Sequence, residues 1–105
     1  MPLSLLLPIL LAPSATAQDI HAMVEMRDGT GLATDVFLPD GDGPWPTILY
    51  RTPYGREEFH ENGRDLPAYG VVVVTQDMRG RYDSEGADMV FSSDGDGELQ
   101  DGYDS

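Results

Sequence analysis

Apolar and polar residues alternate from Ala22 to Arg27, with Met23, Glu25 and Arg27 on one face and Ala22, Val24 and Met26 on the other. A period of two is the mark of a half-buried strand. Asp28-Gly29-Thr30-Gly31 interrupts the alternation as a turn. Leu32 to Leu38 resumes it as a second strand, with Val36 and Leu38 read as inward. Two alternating runs joined by a short turn predict a hairpin. Pro39 to Pro46 is a loop rich in Gly, Pro and Asp, and Thr47 to Arg51 is a third strand in which Ile48, Leu49 and Tyr50 are apolar in succession.

Glu57 to Tyr69 is polar, with Phe59, Leu66 and Tyr69 as its apolar anchors. It reads as a short or broken helix, interrupted near Gly63 and Pro67 and ended by Gly70. Val71 to Thr75 opens with four consecutive valines. Such a run suits a strand buried on both faces, as in a parallel sheet under helices. Gly80 to Gly97 is longer than an ordinary connection, which points to a functional or covering role. Glu98 to Ser105 reads as the first turns of a helix. The fold class is therefore α/β, an antiparallel hairpin followed by a β-α-β unit. That order matches the first half of an α/β-hydrolase sheet, in which the nucleophile sits on a sharp turn after the next strand. The chain reaches Ser105 before such a strand, so the domain is expected to be incomplete.

A length of 105 residues allows one small domain at most. Residues 1–17 read as a signal peptide. The apolar run Leu3 to Leu11 is too short to span a bilayer, and Ala15-Thr16-Ala17 supplies a small-x-small cleavage site. No Lys or Arg precedes that run. The expectation is export, to the periplasm or outside the cell, with residues 18–105 as the mature portion. No other segment is long and apolar enough to be a membrane span. Cysteine is absent, which removes disulfides, thiolate metal sites and cysteine nucleophiles.

The net charge of −13 disfavours nucleic acid and anionic membranes as partners. All six cations are arginines. A solvated acidic surface accounts for the imbalance.

Acyl transfer requires a nucleophile, a base to take its proton, a group orienting the base, and donors for the developing oxyanion. In α/β-hydrolases one oxyanion donor usually comes from the loop after the third strand. Here that loop is Thr52-Pro53-Tyr54-Gly55-Arg56. Arg51-Thr52-Pro53-Tyr54, then Gln76-Asp77-Met78-Arg79-Gly80-Arg81 with Asp83-Ser84-Glu85-Gly86, then Gln100-Asp101-Gly102-Tyr103-Asp104, occur in that order. Together they resemble the serine acyl-hydrolase family of cocaine esterase and the X-Pro dipeptidyl-peptidases, over roughly Val24 to Ser105.

The resemblance implies cleavage of small ester, amide or X-Pro peptide substrates through an acyl-enzyme, with no metal or organic cofactor. It also implies that Tyr54, matched with Arg51 and Pro53, gives its phenol O–H to the oxyanion. A phenol is a neutral donor at pH 7. Family members are much longer, so the chain is expected to be an N-terminal portion lacking the triad and inactive and unstable alone. Arg79 is read as architectural, forking onto Asp101 or Asp104, because guanidinium and carboxylate pair bidentately.

Other candidate chemistry fails on pattern. Tyr82-Asp83-Ser84-Glu85-Gly86 has Tyr where a G-x-S-x-G elbow needs Gly, and no strand runs directly into it. His21 and His60 are the only histidines and come too early for a triad base, so His60 reads as an exposed helix residue. Asp94-Gly95-Asp96-Gly97-Glu98 places Leu99 and Ser105 where a calcium loop from Asp94 needs Gly and Glu. There is no P-loop, no G-x-G-x-x-G and no histidine pair for zinc. The alternative from another class is a small secreted acidic binding module, all-β, presenting Trp45 and tyrosines to a ligand. The Val71 to Thr75 run and the polar helix before it argue against that architecture.

Overall fold

The computed structural model describes residues 19–89, 91–95 and 97–105. The expected signal peptide lies outside the described residues. Strand β1 (Ile20–Glu25) and strand β2 (Gly31–Phe37) form the expected antiparallel hairpin, in register from Ile20 opposite Val36 to Glu25 opposite Gly31. The turn between them is closed by the Asp28 carboxylate, which accepts from the Thr30 N–H at 3.1 Å. Strand β3 (Thr47–Thr52) and strand β4 (Val72–Asp77) run parallel, with Thr52 opposite Asp77. Strand β4 also pairs antiparallel with β2, so the four-stranded sheet has the order β1-β2-β4-β3. The valine-rich strand thus has a neighbour on each edge, as its apolar run predicts.

The β3-to-β4 crossover is the broken helix foreseen from sequence: a 3-10 turn at Arg56–Phe59, helix α1 (His60–Asp65) and a second 3-10 turn at Leu66–Tyr69. Pro67 falls in the last turn, and Gly70 ends the segment in the left-handed conformation. Gly63 does not interrupt the helix. It is buried in α1, where a Cβ would collide with the ring of Phe37. Absence of a side chain lets α1 settle directly onto β2. On the opposite face of the sheet lie residues 91–95 and 97–100 and a short helix α2 (Asp101–Asp104).

The inward residues of β2 differ from the expectation. Leu32 and Phe37 are buried, whereas Val36 is half-buried and Leu38 is 37% exposed. The physical reason is that β2 is an interior strand covered on both faces. Thr34 and Asp35 are buried there too, so polarity no longer marks the outer face. The core is consequently mixed, with Met26, Leu32, Ala33, Phe37, Val73 and Met78 beside Thr75, Gln76, Asp77 and Asp101.

Candidate active site

Because β3 and β4 are parallel, their carboxyl ends finish side by side. Open α/β sheets bind ligands in the crevice outside those ends. Here Tyr54, Gly55, Arg56 and Glu57 follow β3, Tyr82 and Asp83 follow β4, and Asp77 lies at the base. Together they line a cavity of about 270 Å³. Tyr54 is 67% exposed at its edge, and its hydroxyl makes no hydrogen bond among the described residues. Gly55 holds φ +102°, and a Cβ there would lie 3.3 Å from the Tyr82 ring. The left-handed backbone and the aromatic neighbour both favour glycine.

Arg56 forms the floor. Its Nη1 is 2.6 Å from Asp77 Oδ2 and 2.8 Å from Asp83 Oδ2, its Nε is 3.0 Å from Asp35 Oδ2, and its backbone N–H donates to Asp77 Oδ1 at 2.6 Å. Asp35 is also 2.7 Å from His21 Nδ1 and 2.8 Å from His60 Nε2. Burial pushes the Asp35 carboxyl up, but hydrogen bonds from the two histidines and the Arg56 charge outweigh it and hold the group below the ordinary carboxylate range.

The expectation that His60 is exposed is corrected here. Its side chain is mostly buried, bonded to Asp35 and edge-on to Phe37 with ring centroids 5.1 Å apart. Among the described residues no serine hydroxyl bonds to either histidine. Ser84 is occupied on both sides. Its Oγ donates to the Asp77 carbonyl at 2.6 Å and accepts from the Ala33 N–H at 2.8 Å.

On the other face Arg79 grips Asp101 through Nε and Nη2, both at 2.8 Å, and reaches Asp28 through Nη1 at 2.7 Å. Of the two carboxylates proposed for Arg79, Asp101 takes it, and Asp104 pairs instead with Arg27 at 2.8 Å. The Arg79 hydrogen bonds hold the Asp101 carboxyl below its ordinary range against the opposing effect of burial. Arg51 bridges Gln76 at 2.7 Å and Asp94 at 2.6 Å, so the acidic loop is anchored at its first residue. Asp96 lies outside the described residues, and no group of three metal-ligating side chains is found among those described. All six arginines are ion-paired.

The model of the X-Pro dipeptidyl-peptidase (S15) family matches residues 28–105. The chain belongs to this family. It is 42% identical to cocaine esterase of Rhodococcus sp. (strain MB1 Bresler) over a stretch covering 63% of this chain and 12% of that protein. The crystal structure of an aminopeptidase from a marine sediment archaeon, Thaumarchaeota archaeon, superposes with a TM-score of 0.57 at 30% identity, covering 75% of this chain and 16% of that one. An α-amino acid ester hydrolase labelled with selenomethionine gives 0.56 at 29% identity, covering 72% and 16%. The chain thus spans a small part of the length of these relatives. The S15 match encloses the whole cavity, and the similar proteins are ester and peptide hydrolases of the α/β type.

Sequence reasoning singled out Tyr54 but missed the ionic floor beneath it. Asp35 in the middle of a strand and Asp77 at the end of a valine run were the available signals. A carboxylate in an interior strand has to be compensated.

Proposed function

We propose that this chain forms the N-terminal part of the catalytic domain of an exported serine hydrolase. Its substrates in this reading are small molecules with an ester, amide or X-Pro peptide bond, cleaved through an acyl-enzyme, and Tyr54 is an oxyanion donor. One observation carries the assignment of Tyr54: an exposed phenol with no hydrogen-bond partner among the described residues stands at a cavity outside the carboxyl ends of two parallel strands. As a nucleophile adds to the substrate carbonyl, the oxygen gains negative charge, and the phenol donates a hydrogen bond to it. Loss of one such donor lowers turnover by roughly a hundredfold to a thousandfold. The serine, acid and base come, in this reading, from residues other than those lining the cavity here.

The test is hydrolysis of 4-nitrophenyl acetate and of an X-Pro 4-nitroanilide by the protein produced from its complete gene, with labelling by a fluorophosphonate. Turnover of either substrate with stoichiometric labelling of a serine supports the assignment. Absence of both turnover and labelling refutes it. The all-β binding module does not fit, because the sheet contains a parallel pair and carries α1 on one face.

A further inference from the structure

The Pro53–Tyr54 peptide group is held at both of its polar atoms by side chains. The Tyr54 N–H donates to Thr52 Oγ1 at 3.0 Å. The Pro53 carbonyl accepts from Arg81 Nε at 2.9 Å. Arg81 is itself fixed, since its Nη1 lies 2.9 Å from Asp88 Oδ2. Gly80, at φ +73°, permits this approach, because any Cβ there would collide with the backbone of Ala87 and Asp88. Thr52 is buried at the end of β3.

We propose that Thr52 and Arg81 are positioning residues that aim the Tyr54 phenol by locking this peptide plane; the inference rests on the oxyanion reading of Tyr54. The geometry has the required completeness. The Pro53 ring fixes its own φ and confines Thr52 to extended backbone. With the next peptide pinned at oxygen and nitrogen, the phenol keeps only the Tyr54 φ and its side-chain torsions as soft coordinates. Tyr54 is otherwise exposed, so no packed wall could hold it. An oxyanion donor is useful only when preorganised at the place where charge develops. Neither Thr52 Oγ1 nor the Arg81 guanidinium needs to touch substrate for this. Each acts through the backbone that carries Tyr54.

The experiment is steady-state kinetics on 4-nitrophenyl acetate with the protein from its complete gene. Arg81→Met and Thr52→Val are each expected to lower kcat by about tenfold while leaving KM within about twofold, the pattern of a misplaced transition-state contact. Thr52→Ser keeps the acceptor oxygen and is expected to retain kcat. In a Tyr54→Phe background neither substitution is expected to lower kcat further, because the group they aim has gone.

Unchanged kcat in Arg81→Met and Thr52→Val would overturn the proposal. So would equal losses with and without the Tyr54 hydroxyl, which would show the tether acting on something else. If Tyr54→Phe alone leaves kcat intact, the oxyanion reading itself fails and takes the positioning role with it. Should Arg81→Met not fold, the contrast between Thr52→Val and Thr52→Ser decides, since the serine variant keeps the hydroxyl oxygen.

Discussion

Arg79 and Asp101 form a two-point fork, Nε to Oδ2 and Nη2 to Oδ1, each at 2.8 Å, with both side chains almost fully buried. The pair ties the segment after β4 to the start of α2. Arg79→Met leaves Asp101 charged and without its main partner. Breaking a buried pair by removing one member typically costs about 3–5 kcal/mol. The expected outcome is a loss toward the lower end of that range, read from urea midpoints of the protein from its complete gene. Substitution at Arg27, whose bond to Asp104 is exposed and screened by solvent, should change stability far less.

Element order, the hairpin, the broken crossover helix and the two-sided burial of β4 were all legible in the sequence, because each depends on local periodicity and on Gly or Pro punctuation. The facing of β2 was not. Its pattern allows Val36 and Leu38 to point inward, but on that face Leu32 is the buried residue, and the cover of α1 buries Phe37 on the other. His60 was misread for the same reason, since the Asp35 that buries it is far away in sequence. The resemblance placed Tyr54 on the loop after the third strand, whereas the ionic floor of Arg56, Asp77 and Asp35 exists only after folding.

Tyr54→Phe isolates the hydroxyl. On the oxyanion reading, it is expected to lower kcat on 4-nitrophenyl acetate by about a hundredfold in the protein from its complete gene. The melting temperature should stay unchanged, because that hydroxyl has no bond among the described residues. A matching fall in stability would assign the hydroxyl a structural role instead.

Acid should unfold this protein through identifiable carboxylates. Asp35 and Asp101 are both held below their ordinary range in the folded state. A depressed folded pKa means that the unfolded chain binds the proton more readily, so stability from these groups is present above the unfolded value of about 3.9 and is lost as pH falls below it. Urea midpoints measured between neutral pH and pH 3 should stay level as far as these two groups act and then drop below about pH 4. Asp101→Asn should start lower and show a shallower drop. An identical slope in that variant would remove Asp101 from the account.

Gly63→Ala sets two effects against each other. Alanine favours a helix over glycine by about 1 kcal/mol. Its Cβ, however, would lie inside the van der Waals envelope of the Phe37 ring. Overpacking a tight core costs about 1–3 kcal/mol. The clash should win, so Gly63→Ala destabilises, and Phe37→Leu in the same chain should restore part of the loss by withdrawing the ring. Thermal melts of the two variants check this.

Residues 19–105 expressed alone should associate. On the sheet face opposite α1, Thr34 and Gln76 are buried, but two residues along the same strands Val36 and Val74 are only half-covered, and Ile20 and Leu49 beside them are exposed. Among the described residues strand β3 pairs on one edge only, leaving a row of backbone donors and acceptors next to that apolar strip. An open edge beside apolar residues is a template for pairing between chains. Sedimentation of the isolated segment should show mass rising with concentration, and Leu49→Lys should suppress the rise by placing a charge on the strip. The net charge of −13 opposes association, so high salt should strengthen it. A monomer with a sharp, concentration-independent melt would show that this face needs no cover.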